Sequence, residues 1–286
     1  MDYSAAGFAA IAQTERLVAI FATSLLQSGL RSSSPQKIRL RHGIDLFCER
    51  RLAMLNWFRN RYLDLLGSIY IYNEHRGYTA IDRVLDAVRV RSPEDTALIA
   101  AIERHRADER KHYVMFKRWF ELQGKRPMHL DRHFGHIDRF IEIMFRRTID
   151  KLDTQEVINR DELFERLCRV ISLTEQRGYK QVEVLLNNRF VKSDPALTRI
   201  FQVIKKDEPS HWAPYEGWLS ANAKREHKWW ERAVDTFIHS ELLALKLPIL
   251  FLNPFVKRRD DWADDGEVDP DRYSGRPRTE PATANA

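Results

Sequence analysis

Glu74-His75-Arg76-Gly77-Tyr78 recurs 101 residues later as Glu175-Gln176-Arg177-Gly178-Tyr179, and each copy is followed by Asp-Glu-x-x-His. The downstream copies are Asp108-Glu109-Arg110-Lys111-His112 and Asp207-Glu208-Pro209-Ser210-His211, with histidines 99 residues apart. A single Glu-x-x-His is weak, since that spacing arises by chance about once in a chain of this composition. The strength here is register. Phe116 and Tyr215 stand four residues after each histidine, and Trp119 and Trp218 stand seven after. Arg89-Val-Arg-Ser-Pro93 in the first unit is matched by Arg189-Phe-Val-Lys-Ser-Asp-Pro195 in the second, each a turn signal between helices. A repeat of this size predicts two helical hairpins related by a pseudo-two-fold axis.

Residues three or four apart share a helix face, so Glu109 and His112 can reach one ion together, as can Glu208 and His211. The surrounding pattern places these groups inside the protein. Helical spacing through the first unit runs Leu63, Leu66, Tyr70, Glu74, Tyr78, Ile81, Leu85 and Val88. The second runs Phe164, Leu167, Ile171, Glu175, Tyr179, Val182 and Leu186. Each stripe is apolar except for one central glutamate. Four glutamates buried together would each cost several kcal/mol or stay protonated, unless cations cancel their charge. A lone Glu followed by Glu-x-x-His, twice over, is the side-chain set with which a four-helix bundle holds two metal ions. A mixed oxygen and nitrogen set without thiolate suits two iron ions, with manganese as the alternative, better than structural zinc. Asp108 and Asp207 are read as acceptors that orient the ligand imidazoles. Tyr78, Tyr179 and His105 fall next to the ligands on the same faces; His105, with Ile204 as its counterpart in the second unit, is read as a neighbour that supports the ligands, the alternative being an extra ligand or proton carrier.

This pattern resembles the ferritin-like di-iron carboxylate superfamily, which includes rubrerythrins, bacterioferritins, multicomponent monooxygenase hydroxylases and acyl-carrier-protein desaturases. The resemblance covers roughly residues 60–220 and implies metal ligands at Glu74, Glu109, His112, Glu175, Glu208 and His211. It implies an all-α fold, a ferritin-like four-helix bundle, here with additional N-terminal and C-terminal helices. The chain departs from the pattern at Pro209, directly after ligand Glu208. Proline removes a helical hydrogen bond and restricts the residue before it, so a kink at the site or altered ligand geometry is expected. No Cys-x-x-Cys pair is present, so the rubredoxin-type iron module of many rubrerythrins is absent and an external electron donor is required.

Of 286 residues, 43% are apolar, enough for one large core, and helical periodicity runs nearly throughout. The expected helices lie near 5–28, 36–55, 60–90, 94–122, 158–190, 195–221 and 224–246. A crossover over 123–157 contains a short helix near 137–151. One helical domain would span 1–257, with a mobile tail over 258–286, where Asp, Gly, Pro, Arg and Thr prevail. Cys48 and Cys168 are too few for a disulfide framework. No basic-then-apolar leader opens the chain and Leu17–Leu26 is too short to span a bilayer, so a cytoplasmic protein is expected. A net charge of +6 scattered among acids reads as a solvated surface rather than a nucleic-acid footprint. Leu242–Val256, followed by Lys257-Arg258-Arg259, has two readings: a buried helix ended by Pro248, or a peripheral membrane contact over 242–259. His129, His133 and His136 in the crossover are read as surface groups rather than a second metal site.

The expected function is an O2-activating oxygenase or oxidase acting on a small, apolar organic substrate, with a homodimer as the oligomer considered. Tyr78, Phe116, Tyr179, Tyr215, Trp119 and Trp218 fit either a pocket lining or plain core. The alternative is iron or peroxide handling of the ferritin or rubrerythrin kind. A tyrosyl-radical role has only Tyr215, one turn after His211, to motivate it.

Overall fold

The computed structural model describes residues 39–224 and 229–263, and the expected helix at 5–28 lies outside them. Among the described residues the regular elements are all helices, joined by turns and loops, and the extended contact is an isolated bridge between Met128 and Arg258. The main elements are α1 (Arg39–Arg91), α2 (Thr96–Leu122), α3 (His136–Phe145), α4 (Thr154–Asn159) and α5 (Asp161–Leu185). They continue with α6 (Arg189–Lys192), α7 (Pro195–Asp207), α8 (Pro209–Asn222), α9 (Trp229–Glu241) and α10 (Leu247–Leu252).

The two turn signals work as read. In each unit an aspartate closes the turn and caps the next helix. Asp95 accepts from the Leu98 amide at 3.0 Å, and Asp194 accepts from the Leu197 amide at 2.9 Å. α1 pairs with α2, α5 pairs with α7 and α8, and the two hairpins pack on one another through α1–α5 and α2–α8 contacts. The apolar stripes supply the shared interior: Ile81, Leu85 and Val88 from α1 and Phe164, Leu167 and Ile171 from α5 are all at most 1% exposed. Each such side chain contributes roughly 2 kcal/mol of burial to a core that must also hold charged groups.

Four expectations about elements change. The separate helices near 36–55 and 60–90 are one continuous helix of 53 residues, because no glycine or proline interrupts the chain between Gly43 and Gly67. The helix read over 195–221, with a kink expected at Pro209, is divided outright at Glu208, where Pro209 cannot donate to the turn before it; the His211 amide instead bonds the Glu208 carbonyl at 2.8 Å. Pro248 does not end the C-terminal helix. A π turn over Leu242–Lys246 precedes it and runs directly into α10, whose first turn holds Pro248. Residues 258–263, expected to begin the tail, pack on the bundle: Arg258 pairs with Asp64, and Trp262 is 7% exposed.

α3, inside the crossover, is fastened across the hairpins by the arginine of each repeated motif. Arg76 makes a bidentate pair with Asp138 at 2.8–3.1 Å and also reaches Asp150 at 2.9 Å. Arg177 reaches Asp235 and His136, both at 3.1 Å. His136 is therefore a buried structural group, bonded to Asp235 at 2.8 Å, while His129 and His133 are exposed. Around α10, Leu242 and Leu250 are buried and Leu245, Ile249, Leu252 and Phe255 are exposed. Among the described residues, no helix is long and apolar enough to cross a membrane.

Candidate metal centre

The stripes bring all six expected ligands together. Glu74 from α1, Glu109 and His112 from α2, Glu175 from α5, Glu208 at the α7–α8 break and His211 from α8 are each at most 8% exposed. His112 Nδ1 lies 3.3 Å from Glu74 Oε2. His211 Nδ1 lies 3.4 Å from Glu109 Oε1, 3.7 Å from Glu208 Oε2 and 3.8 Å from Glu175 Oε2. Two overlapping sets have ligand atoms mutually within 4.8 Å: Glu74, Glu109 and His112, and His105, Glu109, Glu175 and His211. Glu109 belongs to both. Glu208 stands outside both, at the residue where Pro209 breaks the helix.

His105 is the residue that sequence reasoning undervalued. Read as a neighbour of the ligands, it projects Nε2 among them, 3.6 Å from Glu109 Oε1 and 3.7 Å from Glu175 Oε1. Its ring stacks on His211 with centroids 4.2 Å apart. The signal was present: His105 and Glu109 are four apart on one helix face.

The aspartates sit where a ligand imidazole needs an acceptor, and they do so reciprocally. His112 Nε2 bonds Asp207 Oδ2 at 3.1 Å, across the hairpins. His211 Nε2 faces Asp108 Oδ2 at 3.6 Å, just outside hydrogen-bond reach. Lys111 bridges both aspartates, with Asp207 at 2.8 Å. Each aspartate thus turns the other unit's histidine so that Nδ1 faces the carboxylates.

Two glycines make room. A Cβ at Gly77 would lie 2.5 Å from Glu109 Oε2, and one at Gly178 would lie 3.2 Å from Glu208 Oε1. The Glu-x-x-Gly spacing of the repeated motif therefore has a physical cause: one turn after each lone glutamate, the facing helix presents its own carboxylate.

Protonation follows from the crowding. Burial, then the charge on Glu175, pushes the Glu74 carboxyl up to about 8. Burial and the charges of Glu74 and Glu175 push Glu109 up to about 7. Burial, with Glu175 next, holds Glu208 well above the usual carboxylate range. Glu175 departs from the expectation that every buried glutamate here is raised. Burial does oppose its ionisation, but the facing His105 and His211 rings, 3.7 and 3.8 Å away, outweigh it and hold it low. Burial would likewise lower His211, yet Asp108 and Glu175 keep it well above the ordinary imidazole value.

The unsatisfied atoms identify what is needed. His105 Nε2, His112 Nδ1, His211 Nδ1 and Glu208 Oε2 are buried and make no hydrogen bond. Leaving one such atom unpaired costs about 1–3 kcal/mol, and these four converge on one region. Imidazole nitrogens and carboxylate oxygens grouped about a common centre can hold a metal ion once their protons are displaced.

The other expected neighbours are placed differently. Tyr78 is 3% exposed and packs edge-on to His75 and Tyr113, and Tyr179 packs on Trp212. The six aromatics read as a pocket lining do not share one cluster: Tyr78, Phe116 and Trp119 belong to one packed cluster, and Tyr215 and Trp218 to another. Tyr215 bonds His105 Nδ1 at 3.0 Å. No protein-family model matches the chain, and no curated protein or solved structure is detectably similar to it.

Proposed function

We propose that the chain is a ferritin-like di-metal carboxylate protein, in which two iron ions activate O2 to oxidise a small organic substrate. The observation that carries this is the convergence of His105 Nε2, His112 Nδ1, His211 Nδ1 and Glu208 Oε2, all buried and unbonded, on a nest of four buried glutamates, of which Glu74, Glu109 and Glu208 are pushed toward the neutral form. Glu109 is common to both ligand sets and would serve either ion, with Glu74 and His112 in one set and Glu175, His105 and His211 in the other. Iron held by these residues would supply electrons to O2, with an external donor needed to restore them.

The chain's own residues do the rest. Asp108, Asp207 and Lys111 fix the imidazole orientations. Ile102, Phe116, Phe201 and Ile204, on the turns flanking the ligands, are at most 1% exposed and keep bulk water from the centre. Tyr215 holds His105 by its ring nitrogen and brings a hydroxyl to the edge of the cluster.

The test is metal analysis followed by reaction. Protein expressed with ample iron should carry about two iron ions per chain, and Glu109→Ala should lose most of them. After anaerobic ferrous loading, mixing with O2 should give a transient visible band, and iron uptake should stop at that stoichiometry. One tightly held zinc, unaffected by Glu109→Ala, would overturn the assignment. Continued uptake into a mineral core within a many-subunit shell would favour iron storage instead.

A further inference from the structure

We propose that His105 is itself a metal ligand and makes the two halves of the centre chemically unequal, so that one ion binds first and more tightly. This rests on the di-metal reading above. The repeated motifs alone describe two equal half-sites, each with a lone Glu and a Glu-x-x-His. The structure breaks that equality at two points.

The first is His105. It lies one turn before Glu109 on α2, where the second unit has Ile204. Its Nδ1 is occupied by the Tyr215 hydroxyl at 3.0 Å, which leaves Nε2 directed at Glu109 and Glu175. At 1% exposure no bulk water reaches it, and Nε2 makes no hydrogen bond. One ring nitrogen fixed by a hydrogen bond and the other left open toward carboxylates is how a ligand imidazole is prepared. A histidine serving only as core packing would leave that nitrogen as an uncompensated cost.

The second is the break at Pro209, which leaves Glu208 outside both sets of close ligand atoms. One half therefore offers four side chains, His105, Glu109, Glu175 and His211, and the other offers three, Glu74, Glu109 and His112, with Glu109 shared. Two imidazoles and two carboxylates bind a divalent ion of the first transition row more tightly than one imidazole and two carboxylates, one of them shared. The poorer half keeps open coordination positions, as catalytic sites do. The His105 half anchors its ion; the Glu74 half exchanges its own.

The test uses metal-free, full-length protein titrated with Mn2+, with bound metal read by equilibrium dialysis and electron paramagnetic resonance. Wild type should bind in two steps: a first equivalent with an isolated-ion spectrum, and a second, at least ~10-fold weaker, that converts the spectrum to a coupled pair. His105→Gln and His105→Ile, the latter installing the residue of the other unit, should weaken the first step by at least ~10-fold and leave the second in place. Circular dichroism on the same samples checks that both variants retain wild-type helix. A first step in His105→Gln as tight as in wild type, with two ions still bound, would overturn the His105 assignment alone. Two equal steps in wild type would overturn the inequality. Wild type that binds no Mn2+ and no iron would overturn the di-metal reading beneath it.

Discussion

Gly77→Ala separates the demands of the metal from those of the fold. Gly77 lies inside α1, and alanine there is favoured for a helix by about 1 kcal/mol. The added methyl would meet Glu109 Oε2 at 2.5 Å, where real contacts are at least 3.0 Å, so the carboxylate must retreat by roughly 0.5 Å. In the apo protein this costs little, since the clashing atom ends a flexible side chain. With metal bound that freedom is gone, because ligand distances tolerate only about 0.2 Å. The apo melting temperature should therefore hold or rise by about 2–4 °C, while metal affinity falls ~10–100-fold. Gly217→Ala is the control: it lies in α8 with nothing within 4 Å of the added methyl, and should raise apo stability with metal binding intact. Gly178→Ala, at 3.2 Å from Glu208 Oε1, should fall between them. Thermal melts of apo protein and competitive metal titrations on the three variants suffice. Gly77→Ala binding metal as tightly as Gly217→Ala would refute the claim that Glu109 occupies a ligand position.

The lone glutamates should respond oppositely in the apo state. Glu74 has its carboxyl raised from 4.5 to about 8, so the stability of its neutral form is complete below about pH 4.5 and is lost as pH rises through about 8. Glu74→Gln stays neutral, so its advantage over wild type should grow across that window, to the order of 3 kcal/mol by pH 7. Glu175→Gln should destabilise apo protein near neutral pH instead, since it removes the anion facing His105 and His211; apo denaturant melts that place the two variants on the same side of wild type would contradict this. Asp207→Ala should lower metal affinity ~10–100-fold by freeing the His112 ring, read by competitive titration, while Asp207→Asn, still able to accept, should lose less.

What the sequence made legible was periodicity. The glutamate in each apolar stripe and the Glu-x-x-His pairs were readable because helix spacing alone puts them on one face. The register of the repeat extended that to caps, turns and pairing of the hairpins. Less was legible where two long-range facts met. That His105 points inward depends on Tyr215, 110 residues away, taking its other nitrogen, and nothing local encodes that bond. The expected helices at 36–55 and 60–90 run on as α1, since no glycine or proline stands between Gly43 and Gly67 to end one. Arg258 was grouped with a basic cluster facing solvent or lipid, but its partner Asp64 sits 194 positions earlier.

The reciprocal aspartates carry a consequence for how the two halves can change. Each unit brings its own Glu and Glu-x-x-His yet borrows the group that aims its histidine, Asp207 for His112 and Asp108 for His211. A half-chain is therefore not half a centre. Cut between α4 and α5, either hairpin would keep its glutamates and its histidine but lose that histidine's opposite aspartate, with Lys111 stranded beside only one of its two acids. A substitution at either aspartate would therefore loosen the histidine of the opposite copy, so the two Asp-Glu-x-x-His segments are coupled to each other. Ile204 opposite His105 and Ser210 opposite Lys111 mark positions where only one copy had to carry the role.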